Sequence, residues 1–238
     1  MFKSLIFWIA FPFVIPQALK VRKNAPRFTD AEGGEIGIVG TGHSIKVLGV
    51  GDSIIAGVGT SNVSKSWLGQ TCYYLSEQLN AQIQWTRIAE SGANLAKINL
   101  NTIDQLKEGR FDFIIISVGV NDVTGLSGLR KWAGQLHEML RYLKSHSPDS
   151  IIVLSGVPPM HVFPLLPQPL RYLLGLRAKS FDEVIRQVIK SYYKVIHLPI
   201  EIDPDPKNFS DDGFHPSEYG CQKWGEATAE SIIVENEN

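Results

Sequence analysis

The chain has only two cysteines among its 238 residues, and it has no excess of basic over acidic side chains. Cys72 and Cys221 are too few for a disulfide framework, and neither stands in the CxxC or Cys/His spacing of a zinc site. Lys and Arg number 23 against 24 Asp and Glu, so the chain lacks the net positive charge that favours binding to nucleic-acid phosphates. These shortages argue against a structural metal, a disulfide scaffold and a nucleic-acid partner.

Internal repeats and low-complexity segments are also missing, while 44% of the residues are hydrophobic. A chain of this length and composition can bury a core of its own, which excludes intrinsic disorder. We therefore expect one large globular domain with a short N-terminal appendage.

That appendage, residues 1–23, contains the apolar run LIFWIAFPFV. The run is shorter than the roughly 20 residues that span a bilayer, and no small-residue cleavage site follows it. Lys20, Arg22 and Lys23 come after it and, by the positive-inside bias, favour a cytoplasmic main domain. We expect a membrane-associating or signal-like segment, with export through an N-terminal signal as the alternative. Packing of the segment on the main domain is a third interpretation.

Residues 24–44 combine glycines with mixed charge and show no sustained hydrophobic period, so we predict a linker or irregular arm. In the main domain, residues 45–238, short apolar runs alternate with helical patterns. The runs of strand length are 46–50, 83–88, 111–118, 150–154 and 195–198. Such continuously apolar runs are typical of parallel strands that are buried on both faces. We predict an α/β fold, a flavodoxin-like three-layer α/β/α sandwich with about five parallel strands and helices on both faces.

A serine, a histidine and an aspartate stand in loops where this fold would bind a ligand, because ligands of open parallel sheets lie beyond the carboxyl ends of the strands. Ser53 follows the first predicted strand, and Asp212 precedes His215 by three residues in the loop before the last helix. That spacing lets the carboxylate reach the imidazole Nδ1, which leaves Nε2 to take the proton of the serine. The sequence thus predicts nucleophilic acyl transfer.

Three loops also offer hydrogen-bond donors for the oxyanion of such a reaction. The candidates are the backbone N–H groups of Ser53 and Gly92 and the side-chain amide of Asn121, each after a different predicted strand. One donor of this kind contributes about 2.7 to 4 kcal/mol of transition-state stabilisation. We predict that these three groups form an oxyanion hole. The neighbouring Asp52 is interpreted as a turn and hydrogen-bonding residue.

Together these residues resemble the SGNH (GDSL-type) hydrolase family of esterases and lipases. The marks of the family read Gly51-Asp52-Ser53, Gly92, Gly119-Val120-Asn121-Asp122 and Asp212-Gly213-Phe214-His215, in the order that the family has them. The resemblance implies a serine esterase that cleaves carboxylic ester or thioester bonds of acyl substrates through an acyl-enzyme, without a metal or an organic cofactor. It also implies an alternative, a carbohydrate O-acetylesterase of the same fold.

The stretch 157–175 follows the fourth predicted strand and combines five prolines with large apolar side chains. An apolar loop at the ligand edge of a sheet predicts an acyl-chain pocket, a lid or a membrane-docking surface. We expect four of its residues to bind the substrate: Met160, Phe163, Leu165 and Leu166. This expectation favours lipid-like acyl esters, and a rigid crossover packed on the core is the alternative.

A flavodoxin-like binding module without catalysis is the competing class of function. Its supporting feature is the loop 51–61, which could cradle an anion at a helix N-terminus. The candidate residues in that loop are Gly57, Gly59, Thr60 and Ser61. Such a module has no use for Asp212 and His215, and an inactive scaffold would be expected to have lost some of the family's marks. Hydrolysis is therefore the leading prediction.

Overall fold

The structure, a computed structural model, describes residues 2–26, 28–106 and 109–237. The α-helices in these ranges are α1 Phe2–Asn24, α2 Ser53–Ala56, α3 Trp67–Leu79, α4 Leu95–Gln105, α5 Val120–Thr124, α6 Leu129–His146, α7 Leu170–Val188 and α8 Glu218–Glu237. The strands are β1 Ile36–Val39, β2 Ser44–Gly51, β3 Gln82–Ala89, β4 Phe113–Ser117, β5 Ile151–Ser155 and β6 Val195–Leu198.

The described strands form one six-stranded sheet in the order β1-β3-β2-β4-β5-β6. Strands β2 to β6 are parallel, and only the edge strand β1 runs antiparallel to its neighbour β3. Each of the five parallel strands overlaps one of the apolar runs in the sequence. The predicted α/β fold with a parallel sheet is confirmed, with six strands in place of about five.

Helices cover both faces of the sheet because successive side chains of each strand point to opposite sides. Leu48 and Ile114 face a core that is closed by α1, α4, α6 and α7. Their neighbours Val47 and Ile115 face a second core under α3 and α8. All four side chains are fully buried. This burial on both sides explains why strands β4 and β5 read as nearly continuous apolar runs rather than as alternating patterns.

Strand β1 lies in the segment that the sequence analysis assigned to an irregular arm. Ile36 and Ile38 are exposed on this edge strand, and Gly37 between them lies against the indole ring of Trp85. A Cβ at Gly37 would come within 1.9 Å of that ring, so the ring takes the place of a side chain. Four residues with exposed isoleucines and a glycine carry little periodic signal. The prediction of an irregular arm is wrong for Ile36–Val39.

The N-terminal apolar run forms helix α1, which packs on α7. Phe7 and Val14 are buried in the core that α6 and α7 share. Farther along, the Gln17 side chain donates to the Gln168 carbonyl at 3.0 Å and accepts from the Leu170 N–H at 3.3 Å. Of the interpretations that the sequence left open, packing on the domain is what the structure contains. Among the described residues, no helix has the length and apolar character that crossing a membrane requires.

Candidate active site

The carboxyl ends of β2, β3 and β4 lie side by side and position the loops that follow them. Gly51, the last residue of β2, pairs with Ala89 on one side and with Ser117 on the other. A Cβ at Gly51 would lie 2.4 Å from the Ser117 carbonyl oxygen, so only glycine fits at this crossing point. The close approach brings the starts of the three loops together at one edge of the sheet.

Ser53 begins α2, a helix of four residues that follows β2 directly. The Asp52 side chain caps this helix by accepting from the Ile54 N–H at 3.1 Å, and Gly57, at a φ of 80°, ends it in the left-handed region. Backbone N–H groups in the first turn of a helix have no intrahelical acceptor. This local geometry leaves the Ser53 N–H available and holds the half-buried Ser53 side chain at the strand end.

His215 and Asp212 complete a hydrogen-bonded series with Ser53. The His215 Nε2 lies 2.9 Å from the Ser53 Oγ, although 162 positions separate the two residues in the chain. The His215 Nδ1 lies 2.5 Å from the Asp212 Oδ2. This is the arrangement of a serine nucleophile, its general base and the carboxylate that orients the base. The structure thus brings together the three residues that the sequence singled out for catalysis.

The Asp212 carboxylate is buried and held by several donors. Its Oδ1 accepts from the Ser210 Oγ and from the N–H groups of Phe214 and His215, at distances of 2.8, 2.8 and 2.9 Å. Burial acts to raise the pKa of Asp212, but hydrogen bonds from His215 and Phe214 outweigh it and lower the pKa to about 2. The carboxylate is therefore ionised at neutral pH. Sequence reasoning missed Ser210, because a serine near an aspartate is ordinary turn chemistry.

The Asn121 side chain lies between the two other predicted oxyanion donors. Its Nδ2 donates to the Ala93 carbonyl oxygen at 3.0 Å and to the Asp52 Oδ2 at 3.4 Å. Ala93 is the neighbour of Gly92, and Asp52 is the neighbour of Ser53. Gly92 has a φ of +79°, and an added Cβ would meet no atom within 4 Å, so its backbone conformation rather than crowding favours glycine. All three predicted donors lie at the same edge of the sheet.

Asp52 makes a turn and hydrogen bonds, as the sequence indicated, and one of these bonds reaches the Asn121 amide. It is 1% exposed, and its Oδ1 also accepts from the Ser117 Oγ at 3.4 Å. Burial raises the pKa of Asp52 to about 6, against the opposing effects of the Ile54 hydrogen bond and the nearby His215. Because its other oxygen contacts the Asn121 amide, this carboxylate positions a predicted oxyanion donor. In the sequence, the position of Asp52 between a buried strand and Ser53 is the feature that points to a role in the site.

A small cavity adjoins Ser53 and His215, with about 20 Å³ accessible to the centre of a water molecule. Its walls are mainly apolar and include Val120, Phe163 and Phe214. A single water molecule needs roughly 10 to 15 Å³ measured in this way. The enclosed space beside the serine is therefore about the size of one water molecule, and the cavity opens to solvent.

Of the four residues predicted to bind the substrate, Phe163 lines this cavity. The structure does not bring the other three into its lining. Met160 and Leu166 are buried in the hydrophobic core instead, and Leu165 is bonded through its N–H to the Gly213 carbonyl. Met160 and Leu166 pack in the core as the crossover alternative expects, and substrate binding by Met160, Leu165 and Leu166 stays a prediction.

The loop 51–61, which supported an anion-binding module, uses its donors within the protein. The Ser61 N–H and Oγ both donate to the Glu218 Oε1, at 3.1 and 2.7 Å. The Thr60 hydroxyl donates to the Gly57 carbonyl at 2.8 Å. Gly59 has no room for a side chain, since a Cβ would lie 2.6 Å from the Pro216 carbonyl oxygen. A carboxylate of this chain thus occupies the place that the anion would take.

Metal-binding and thiol chemistry find little support in the residues that the structure describes. These contain no group of three or more His, Cys, Asp or Glu side chains that could hold a metal ion. Cys72 and Cys221 are buried, and burial raises the pKa of both thiols, that of Cys221 to about 12. Neither cysteine is a thiolate at neutral pH, so neither has the charge of a reactive thiol nucleophile.

Comparisons with known proteins agree with this geometry. Residues 50–223 match the model of the GDSL-like Lipase/Acylhydrolase family. A GDSL-like esterase of Mycobacterium tuberculosis is 29% identical over 113 residues, which cover 44% of this chain and 35% of the relative. The match therefore spans only about a third of the length of that curated relative.

Two solved structures share the fold at 20% sequence identity. One is a Parabacteroides merdae protein described as a GDSL-like lipase, with a TM-score of 0.64 over 82% of this chain and 99% of that one. The other is a family 3 carbohydrate esterase of Clostridium thermocellum, with a TM-score of 0.63 over 81% of this chain and 98% of that one. At this identity the likeness concerns the fold alone.

Proposed function

The chain belongs to the GDSL-like lipase/acylhydrolase family, and from this premise we propose that it is a serine esterase with Ser53 as its nucleophile. The observation that carries the proposal is the contact of 2.9 Å between the Ser53 Oγ and the His215 Nε2, with Asp212 bonded to the opposite ring nitrogen. A buried, ionised carboxylate, a base and a hydroxyl in this order are what acyl transfer at neutral pH needs.

The reaction follows from the positions of these groups. The Ser53 Oγ attacks the acyl carbon while its proton passes to the His215 Nε2, and the carbonyl oxygen becomes an oxyanion. The tetrahedral intermediate expels the alcohol, which takes the proton from His215. A water molecule then attacks the acyl-enzyme with His215 as the base, which releases the acid and restores Ser53. Asp212 orients the imidazole and stabilises its charged form in both halves of the reaction.

The oxyanion is stabilised by the N–H groups of Ser53 and Gly92 and by the Asn121 amide. An asparagine amide has two N–H bonds to donate, and in the free site they point to Ala93 and Asp52, at 3.0 and 3.4 Å. These two contacts hold the amide beside the segments of Ser53 and Gly92, where the oxyanion forms.

Two substrate classes fit this site, and both carry a short acyl group. Short-chain carboxylic esters, including lipid-like ones and thioesters, are the first class, supported by the apolar walls of the cavity. O-acetyl groups on carbohydrates are the second class, supported by the small enclosed space beside Ser53. The fold of the Clostridium thermocellum carbohydrate esterase is compatible with this alternative.

The test is hydrolysis of p-nitrophenyl esters from acetate to laurate, with the wild-type chain and the Ser53→Ala variant side by side. We expect activity that is highest for acetate to butyrate and that is lost in Ser53→Ala. Acetate release from acetylated xylan, set against tributyrin hydrolysis, separates the two substrate classes. Full activity in Ser53→Ala would exclude the proposed nucleophile, and a maximum at laurate would exclude the short acyl group.

A further inference from the structure

Helix α1 has an apolar face that the rest of the described chain leaves uncovered. Phe7 and Val14 point into the core, but large apolar side chains on the other side of the helix are exposed. They are Trp8, Ile9, Phe13, Ile15 and Leu19, and Phe13 is 84% exposed. At about 100° per residue these five fall on one side of the helix, opposite Phe7 and Val14. We call these five residues the outer face of α1.

A helix that is apolar on all sides is normally buried on all sides. In this structure α1 is buried only on the side that packs against α7. Isolated exposed apolar residues are ordinary on a protein surface, but a contiguous group of this size marks a contact site.

Two prolines determine how deep such a helix can lie in an apolar phase. Pro12 and Pro16 are inside α1 and exposed. Since proline has no N–H, the carbonyls of Trp8 and Pro12, four residues earlier, receive no helical hydrogen bond from them. A carbonyl without a partner is costly in hydrocarbon but not at a hydrated interface. The outer face is therefore suited to an interface rather than to the interior of a bilayer.

The charges on α1 select the kind of interface. Lys20, Arg22 and Lys23 are exposed near the C-terminal end of the helix, and residues 2–24 contain no Asp or Glu. Anionic lipid headgroups attract basic residues that lie next to an apolar surface. A second copy of this helix would bring the same three cations and no carboxylate to pair with them. Charge complementarity thus favours a negatively charged lipid surface over self-association through α1.

We propose that the outer face of α1 docks the protein on the surface of an anionic lipid bilayer, as an interfacial helix with the basic residues at the headgroups. The helix also contacts the proline-rich segment, one residue of which reaches the catalytic cavity. Gln17 contacts Gln168 and Leu170 at the end of this segment, and Phe163 of the same segment lines the cavity beside Ser53. The docking itself does not depend on the proposed esterase activity.

Flotation of the full chain with lipid vesicles tests the proposal. The vesicles are pure phosphatidylcholine, or phosphatidylcholine with about one-quarter phosphatidylglycerol. We expect the wild-type chain to float with the anionic vesicles and to bind the neutral ones about tenfold or more weakly. The paired substitution Phe13→Ser with Leu19→Ser should reduce binding to the anionic vesicles by about tenfold or more. Replacing Lys20 and Lys23 with Gln should weaken it on the order of tenfold and remove the preference for anionic lipid.

The matched control replaces two exposed apolar residues of another helix, Leu100→Ser with Ile103→Ser in α4. This control should bind like the wild type, and so should Ser53→Ala, because docking needs no turnover. Circular dichroism and thermal melting check that the variants are folded. The proposal is overturned if the wild type does not float, or if the α1 pair floats like the control. A dimer of the wild type would also overturn it, if the double substitution in α1 dissociates that dimer and neither the wild type nor the double variant binds vesicles.

Discussion

Asp212 and Asp52 are two buried carboxylates next to the reacting groups, and their pKa values are shifted in opposite directions. Hydrogen bonds overcome the effect of burial at Asp212 and lower its pKa to about 2, whereas burial dominates at Asp52 and raises its pKa to about 6. The first carboxylate orients the base, and the second contacts the Asn121 amide. Single substitutions at these residues should therefore affect different parts of the reaction.

The His215 base and its orienting carboxylate should both be needed for turnover. His215→Ala removes the base, so we expect kcat to fall by roughly 10³-fold or more. In Asp212→Asn an amide faces the His215 Nδ1 and favours the wrong tautomer, so kcat should fall by up to about 10⁴-fold. Steady-state hydrolysis of p-nitrophenyl acetate measures both effects. The control is Ser210→Ala, which leaves two backbone donors on Asp212 and should lower kcat less than about tenfold. Near-normal turnover in His215→Ala would exclude the proposed base.

Asp52 should act on catalysis through Asn121. Asn121→Ala removes an oxyanion donor and should lower kcat by about 10² to 10³-fold with little change in KM. Asp52→Asn places an amide against the Asn121 amide and should lower kcat by a smaller factor, on the order of tenfold, also without raising KM. The control, Ser117→Ala, removes a contact of the other Asp52 oxygen and should keep kcat near the wild-type value. An effect of Asp52→Asn on KM alone would contradict a positioning role.

At the scale of elements, α1 is a helix with two apolar sides of which the domain covers one. The Arg177 guanidinium of α7 lies 5.0 Å from the centre of the Phe7 ring. The same guanidinium donates to the carbonyl of Val123 in α5, the short helix that contains Asn121, and to the carbonyl of Ser127 just after it. Through Arg177, the packing of α1 is connected to the helix that holds a predicted oxyanion donor.

Two phenylalanines of α1 should differ sharply in their contribution to stability. Phe7 is 1% exposed, so Phe7→Ala leaves a cavity and should lower the free energy of unfolding by about 3 kcal/mol. The matched substitution Phe13→Ala is on the outer face and should change it by less than about 0.5 kcal/mol. Urea denaturation of the full chain, followed by fluorescence, measures both values. Equal effects would mean that α1 does not pack on α7 in solution.

At the scale of the whole molecule, the parallel sheet places the residues of the candidate active site at one edge, beyond the carboxyl ends of its strands. The segments after β2, β3 and β4 hold Ser53, Gly92 and Asn121, and the loop before α8 brings His215 to Ser53. The pairing of β2 between β3 and β4 decides which loops become neighbours. Strand β1 and helix α1 extend the sheet and one core without supplying a residue to the triad.

The raised pKa of Asp52 should appear in the pH dependence of global stability. The folded protein, with a pKa of about 6 in place of 3.8, holds this proton more tightly than the unfolded chain does. The contribution of Asp52 is therefore complete below about pH 4 and is lost as the pH rises through 6. Asp52→Asn has no such loss. We expect its free energy of unfolding, relative to that of the wild type, to rise between pH 4 and pH 7 by up to about 3 kcal/mol.

Urea denaturation of both proteins at several pH values measures this difference. Asp212 has the opposite shift, so its stabilisation is present above pH 3.8 and is lost as the pH falls toward 2. Because both proteins contain Asp212, its effect cancels in the comparison. A difference between the two that stays constant from pH 4 to pH 7 would contradict the raised pKa of Asp52.

Local patterns in the amino-acid sequence were enough to predict the parallel strands and to select Ser53, Asp212 and His215, which the structure brings together. The fully buried strands β4 and β5 read as almost entirely apolar runs, whereas β3 alternates polar residues with buried apolar ones. Ser53, Gly92, Asn121, Asp212 and His215 stand in loops after strands or before the last helix, where neighbours in the chain already limit the backbone.

Contacts between distant parts of the chain had no such local signal. The pairing of β1 depends on Trp85, and the inward turn of Met160 and Leu166 depends on the cover that α7 provides. The contacts of Asp52 with the Asn121 amide, and of α1 with α7, likewise join residues far apart in sequence. Whether an apolar side chain faces the core, the cavity or the solvent depends on which elements pack beside it, and hydrophobicity alone is the same in all three places.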